Sequence, residues 1–306
     1  MHSRISSLAA VGPLAVCLGF LGAAPLAQEP TASPPHDRAF WRIFLQPNVL
    51  PPDAEQLPLL VHELSGLLGH ADPEQRDDCA YSVLAHWIYR KRAVPVELRR
   101  ELLREWSDNL KLGIGERDTD TVLLRSFSAL SLGLLVALDN DEPFLEQAEF
   151  EHLLTAALTY LHDECDLRGF DEKLGWLHST AHTADLLKFL GRSHRLVVAA
   201  QRTLLDAILD KLTRTPTVYT HGEDERLART VVALVARADF DATGFEQWLG
   251  TVSLRPAGGT KAHLAAAQNK KHLLVSLFAL LSVDARDLPS LPLARAKVQA
   301  ALAKAL

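Results

Sequence analysis

Leucine recurs at helical spacing along most of this chain. Leu57, Leu60, Leu64, Leu67 and Leu68 mark one face of a helix over residues 53–68. Asp72-Pro73-Glu74 opens a second helix, with Pro in its first turn. That helix buries Ala80, Leu84, Trp87 and Ile88 and ends near Lys91-Arg92, where cations suit the C-terminal dipole. Pro95 starts a third, with Leu98, Leu102 and Trp106 along one side. Asp118 or Asp120 caps the helix holding Val122 to Leu138. Further helical spacing covers 143–165, 176–191, 194–213, 223–237, 242–249, 261–282 and 291–305, giving about eleven helices and no strand. Short connections predict an all-α fold, an array of antiparallel helix pairs built as a HEAT-like or α/α stack. No strict repeat period is visible.

Composition agrees with packed helices. The 306 residues include 57 Leu and 41 Ala, both strong helix formers. With 48 % apolar and 23 % charged residues, global disorder is excluded. The net charge of −6 argues against a nucleic-acid partner, which needs a basic face. Lys270-Lys271-His272 is too short to change this and reads as solvated helix surface. The partner is left as a small molecule or a protein.

Residues 1–27 read as a secretory signal peptide. Arg4 supplies the positive start, Ile5 to Leu21 the apolar run, and Ala23-Ala24-Pro25-Leu26-Ala27 the small residues at cleavage. Cys17 follows a poor lipoprotein box, since Val16 stands where a small residue is wanted, so lipidation is disfavoured. Residues 28–36 then form a disordered tether and residues 37–306 a single helical domain. The expected location is periplasmic or extracellular, with no membrane span left after cleavage. Cys79 and Cys165 remain, and their helical, apolar settings favour two unpaired thiols.

Residues 164–185 are the most polar and unusual stretch. A helix starting near Gly175 or Trp176 puts His178, His182 and Asp185 at i, i+4 and i+7, on one face. Two imidazoles one turn apart and a carboxylate on the next turn can hold a divalent transition metal such as zinc. The same three residues can instead form a buried polar network. The pattern is not HExxH, because no Glu follows His178. Trp176 reads as a core plug. Gly169 permits a turn with positive φ. Arg168 can grip a carboxylate bidentately or orient a bound anion. Glu223, Asp224 and Glu225 suit a helix start, or complete a metal site. Arg125, on an apolar helix, requires a carboxylate partner once buried. P-loop, Rossmann and nucleophile-elbow motifs are absent.

These elements together resemble a bacterial family known as domain of unknown function 2785. The matching stretches are Arg125-Ser126-Phe127-Ser128, Asp166-Leu167-Arg168-Gly169-Phe170, the GWxHxxAHxxD run from Gly175 to Asp185, and Glu223 to Ala228. Asp77 to Ile88 matches more loosely, and the likeness covers about residues 50 to 250. The resemblance implies an all-helical protein and carries no assigned activity.

Two function classes follow. In the first, the protein is a metal-dependent enzyme, a hydrolase: His178, His182 and Asp185 bind the metal, Glu223 or Asp224 serves as base, and Arg168 holds an anionic group. In the second, it is a non-catalytic binding or scaffold protein, and the His/Asp cluster is structural.

Overall fold

The computed structural model describes residues 36–46, 48–253 and 258–306. The leader (1–27) and nearly all of the tether (28–36) lie outside the described residues. His36, at the end of the tether, is docked: its backbone N–H donates to Glu63 and its ring stacks on Phe40 at 3.9 Å.

Twelve α-helices are present among the described residues: α1 (Arg38–Ile43), α2 (Gln56–Leu67), α3 (Ser82–Ala85), α4 (Val96–Asn109), α5 (Thr121–Asp141), α6 (Gln147–Asp163), α7 (Ser179–Arg192), α8 (Val198–Arg214), α9 (Glu223–Val235), α10 (Ala242–Val252), α11 (Lys261–Val283) and α12 (Ser290–Ala305). Their starts follow local chemistry. Pro95 precedes α4, where its missing N–H costs nothing. A Glu146/Glu149 capping box opens α6. Asp241 accepts from Gly244 N at the start of α10, and Thr260 from His263 N at the start of α11.

Three expectations are corrected. The helix from Glu74 to Arg90 is α-helical only at α3; Glu74–Tyr81 and His86–Arg90 are π-helical. Wider i→i+5 closure is visible in Lys91 N–H donating to His86 O and in Ser82 N–H donating to Asp77 O. A small antiparallel hairpin, β1 (Phe170–Asp171) and β2 (Gly175–Trp176), exists where no strand was expected. Two residues per strand are too few to leave an alternating pattern in the sequence. Lys270 is buried in α11, not solvated.

The core runs through the whole described fold, from Trp41 and Leu64 near the start to Val298 near the end. By their contacts residues His36–Leu306 cluster as one unit. Helix α5 packs on α7, α7 on α9, and α9 on α11; α6 packs on α8, α8 on α10, and α10 on α12. Helix α5 is long and apolar enough to cross a membrane, but 83 % of its most apolar window is covered by the rest of the fold. Cys79 is buried in the first π-helical stretch, Cys165 sits past the end of α6 and not within a helix, and both are free.

Candidate functional site

The unusual stretch is a segment pinned across several helices. Its first residue, Glu164, meets Arg125 of α5, with Nε–Oε2 at 2.6 Å and Nη2–Oε1 at 3.2 Å. Both side chains are sealed from solvent, so the charges need each other. Arg125 Nη1 also donates to Leu112 O and Thr121 Oγ1. Burial acts to lower the Arg125 pKa, but the Glu164 partner outweighs it and holds the guanidinium charged. Lys211 of α8 donates to Glu164 O at 2.8 Å, and its own burial brings its pKa down to about 8.

Asp166 is the next anchor. It accepts from Asp118 N, from Arg168 N and from Arg168 Nε at 2.9 Å, and its carbonyl accepts from Ser179 Oγ. Arg168 also donates to Thr119 O. The hairpin follows, turned by Asp171 Oδ1, which accepts from Lys173 N and Leu174 N. Gly175 has φ +69°, a region that favours glycine, and a Cβ there would lie 2.8 Å from Pro73. Gly169 serves otherwise than expected: its φ is not positive, and a Cβ would lie 2.4 Å from His221 Nδ1. Close approach, not a left-handed turn, demands glycine there. Arg76, wholly buried in the first π-helical stretch, donates to Leu174 O and Trp176 O and so ties the hairpin down.

The segment delivers His178 to the start of α7. His178 is the N-cap, with φ 51° and ψ 32°. The three-residue helical face expected for His178, His182 and Asp185 is therefore not formed, because the chain turns at His178 before the helix begins. A left-handed conformation at a non-glycine residue costs of order 1–3 kcal/mol and persists only where its surroundings fix it. Here the surroundings do so: His178 N donates to Arg168 O, Nε2 donates to His221 O at 2.9 Å, and Trp176 stacks on the ring at 4.7 Å. Glu223 Oε1 stands 3.7 Å behind the same Nε2.

His182 is one turn into α7. Ser126 Oγ of α5 donates to Leu177 O, and its lone pairs face His182 Nδ1 at 2.8 Å. The hydroxyl proton is used on the carbonyl, so Nδ1 carries the hydrogen and donates. Phe127 meets the His182 ring edge-on at 4.9 Å, and the two imidazole centroids are 5.7 Å apart. Burial lowers the pKa of both imidazoles, that of His182 strongly, with the neighbouring His178 adding to the effect. Both rings are neutral at pH 7.

Asp185 is drawn away from this pair. Its carboxylate accepts from Lys188 Nζ at 2.7 Å and from Arg226 of α9. Of the acids at the start of α9, Glu223 accepts from His221 N, Asp224 from Ser276 of α11, and Glu225 pairs with Arg229. Only Glu223 joins the cluster. Among the described residues no three His, Cys, Asp or Glu are grouped so as to hold a metal ion. Trp176 is not a core plug; it is 41 % exposed, edge-on to an exposed Phe170 at 5.0 Å.

Sequence reasoning missed Arg76, Tyr81 and Lys211. Tyr81 is half-buried near Asp185, and desolvation first and the carboxylate second push its hydroxyl up to about 12. The one usable signal was a charged side chain on the apolar side of a helix, the signal that identified Arg125. A separate apolar cavity of about 200 Å³ lies between the end of α4 and α6, lined by Leu110, Ile114, Ala156 and Tyr160 among others. It contains none of the predicted site residues.

Fold and site together define an all-helical protein whose distinctive polar residues lock one irregular segment onto its central helices. The family model described as "Protein of unknown function (DUF2785)" matches residues 110–279, more than half of the chain, and the chain belongs to that family. No curated protein and no solved structure matches it.

Proposed function

We propose that this protein is an exported, non-catalytic binding protein. Its helices form a HEAT-like stack of antiparallel pairs, and its site is the cluster of His178, His182 and Trp176 at the foot of the hairpin. The observation that carries the reading is the engagement of the polar groups a hydrolase would use. Arg168 is held by Asp166, Asp185 by Lys188 and Arg226, Glu223 by His221 N, and Asp224 by Ser276. A general base needs a free acceptor within reach of a substrate proton, and these carboxylates are already accepting hydrogen bonds. A metal-dependent hydrolase therefore draws no support from them. The succession α5–α7–α9–α11 beside α6–α8–α10–α12 supports a stack of helix pairs. The leader-like composition of residues 1–27 supports export.

Trp176 reports on the site, because it is half-exposed and stacked on His178. Screening small molecules by tryptophan emission is expected to give saturable changes that Trp176→Phe removes. Each bound molecule is recovered unaltered by mass spectrometry. A molecule recovered chemically changed, in an amount that falls in His182→Ala, overturns the non-catalytic reading.

A further inference from the structure

The two imidazoles of the cluster are anchored alike. His178 gives Nε2–H to the His221 carbonyl, and His182 gives Nδ1–H to Ser126 Oγ. Each anchor fixes the tautomer and leaves the other nitrogen with a bare lone pair. Neither His178 Nδ1 nor His182 Nε2 has a hydrogen-bond partner among the described residues, and neither is fully sealed from solvent. Both lone pairs are thus open to a small donor or an ion that reaches the cluster.

This is the arrangement in which proteins present histidine to a metal: one nitrogen for the ion, the other held by a carbonyl, hydroxyl or carboxylate that fixes the ring. Glu223 Oε1 stands 3.7 Å from the same nitrogen, beyond hydrogen-bond reach, so the His221 carbonyl is the anchor of His178. The spacing agrees. With metal–nitrogen bonds of about 2.1 Å, each ring centroid stands about 3.2 Å from the ion, and a tetrahedral angle separates the centroids by about 5.2 Å. The observed separation is 5.7 Å, which opens that angle to about 125°. The strained backbone of His178 has the same explanation, since strain persists where a side chain must be held in one place.

We propose that His178 Nδ1 and His182 Nε2 bind one divalent transition-metal ion of the zinc, nickel and copper class, with water filling its remaining positions. The ion differs from the one expected from the sequence in that Asp185 is not a ligand. Ser126 is a positioning residue, acting through the His182 ring. The inference rests on reading the cluster as a binding site and names its ligand. Water positions on such an ion would accept an oxygen or nitrogen ligand from a small molecule.

The test uses the full chain made without a His tag, stripped by chelator and dialysed against Zn²⁺. Metal content and calorimetric titration are expected to give one saturable equivalent per chain. His178→Gln and His182→Ala each abolish the stoichiometric equivalent. Ser126→Ala, whose effect on unfolding is measured alongside, weakens binding by about 10–100-fold, a change that loss of packing alone would not produce in a folded variant. Wild-type protein that binds no Zn²⁺, or that binds it equally well in folded His178→Gln, overturns the proposal. If His182→Ala does not fold, the wild-type titration and His178→Gln still decide. A wild type without metal whose Trp176 emission nevertheless responds to an organic ligand defeats the metal and leaves the binding site standing. Failure of both readouts defeats the two together.

Discussion

Glu164→Gln tests the reasoning most directly, because it changes one charge and almost no volume. Glu164 and Arg125 are both sealed from solvent, 2 % and 0 % exposed at the side chain, and joined by two hydrogen bonds. Glutamine keeps an acceptor oxygen for one guanidinium N–H and replaces the other with a donor that faces a donor. The guanidinium is then a buried charge without a counterion, and breaking such a pair costs about 3–5 kcal/mol. Lys211, which also relies on the Glu164 charge, is pushed further towards its neutral form. For a fold of this length the unfolding entropy is about 0.6 kcal/mol/K, so the melting temperature drops by about 5–9 °C. Scanning calorimetry of both proteins at pH 7 gives the number. Removing both charges together, in Arg125→Met/Glu164→Leu, avoids the unpaired charge, so the double variant is expected to be more stable than the sum of its two single changes predicts. A drop under about 2 °C for Glu164→Gln, or a double variant that is simply additive, refutes the account.

Three further outcomes are expected. Lys211 titrates near 8 folded and near 10.5 unfolded, so between these values the unfolded chain holds the extra proton and stability rises with pH; Lys211→Met removes a rise of about 3 kcal/mol from denaturant titrations run across that window. Asp77 is the reverse case: burial raises it from 3.8 to about 6, so the folded chain holds the extra proton, stability falls as pH rises from about 4 to 6, and Asp77→Asn flattens that slope. Gly169→Ala drives a methyl into His221 and costs about 1–3 kcal/mol, whereas Gly250→Ala, with open space beside it in α10, gains about 0.5–1 kcal/mol by thermal unfolding.

The helical part of this fold was legible because leucine spacing is a local signal, and each helix carries its own. The need of Arg125 for a carboxylate was legible for the same reason: an apolar helix face announces burial, and burial announces a partner. The grip of Arg168 on Asp166 joins residues two apart, so it too was within reach of the sequence. What the sequence did not announce was the identity of Glu164 as the partner, 39 residues away, or the use of its carbonyl by Lys211. The place of His178 was misread because helical periodicity says nothing about where a chain turns before a helix. A hairpin bond from Leu177 N to Gly169 O and the ring of Trp176 hold that turn, and both depend on tertiary contact. Trp176 was assigned to the core by its bulk; its exposure follows from the hairpin, which carries the indole outward beside Phe170.

Helices that touch only their neighbours ordinarily behave as a chain of modules, and such chains can fray from either end. Glu164 works against that habit. It gathers Arg125 from α5 through its carboxylate and Lys211 from α8 through its carbonyl, and the segment it begins carries Arg76 contacts from before α3. No subset of these helices can satisfy the group alone. Its carboxylate can meet Arg125, made before it, whereas its carbonyl waits for Lys211 of α8. The central helices are thereby expected to open as a single cooperative unit, their amides exchanging with solvent through one shared opening, while α1 and α12, outside the clamp, exchange on their own schedule.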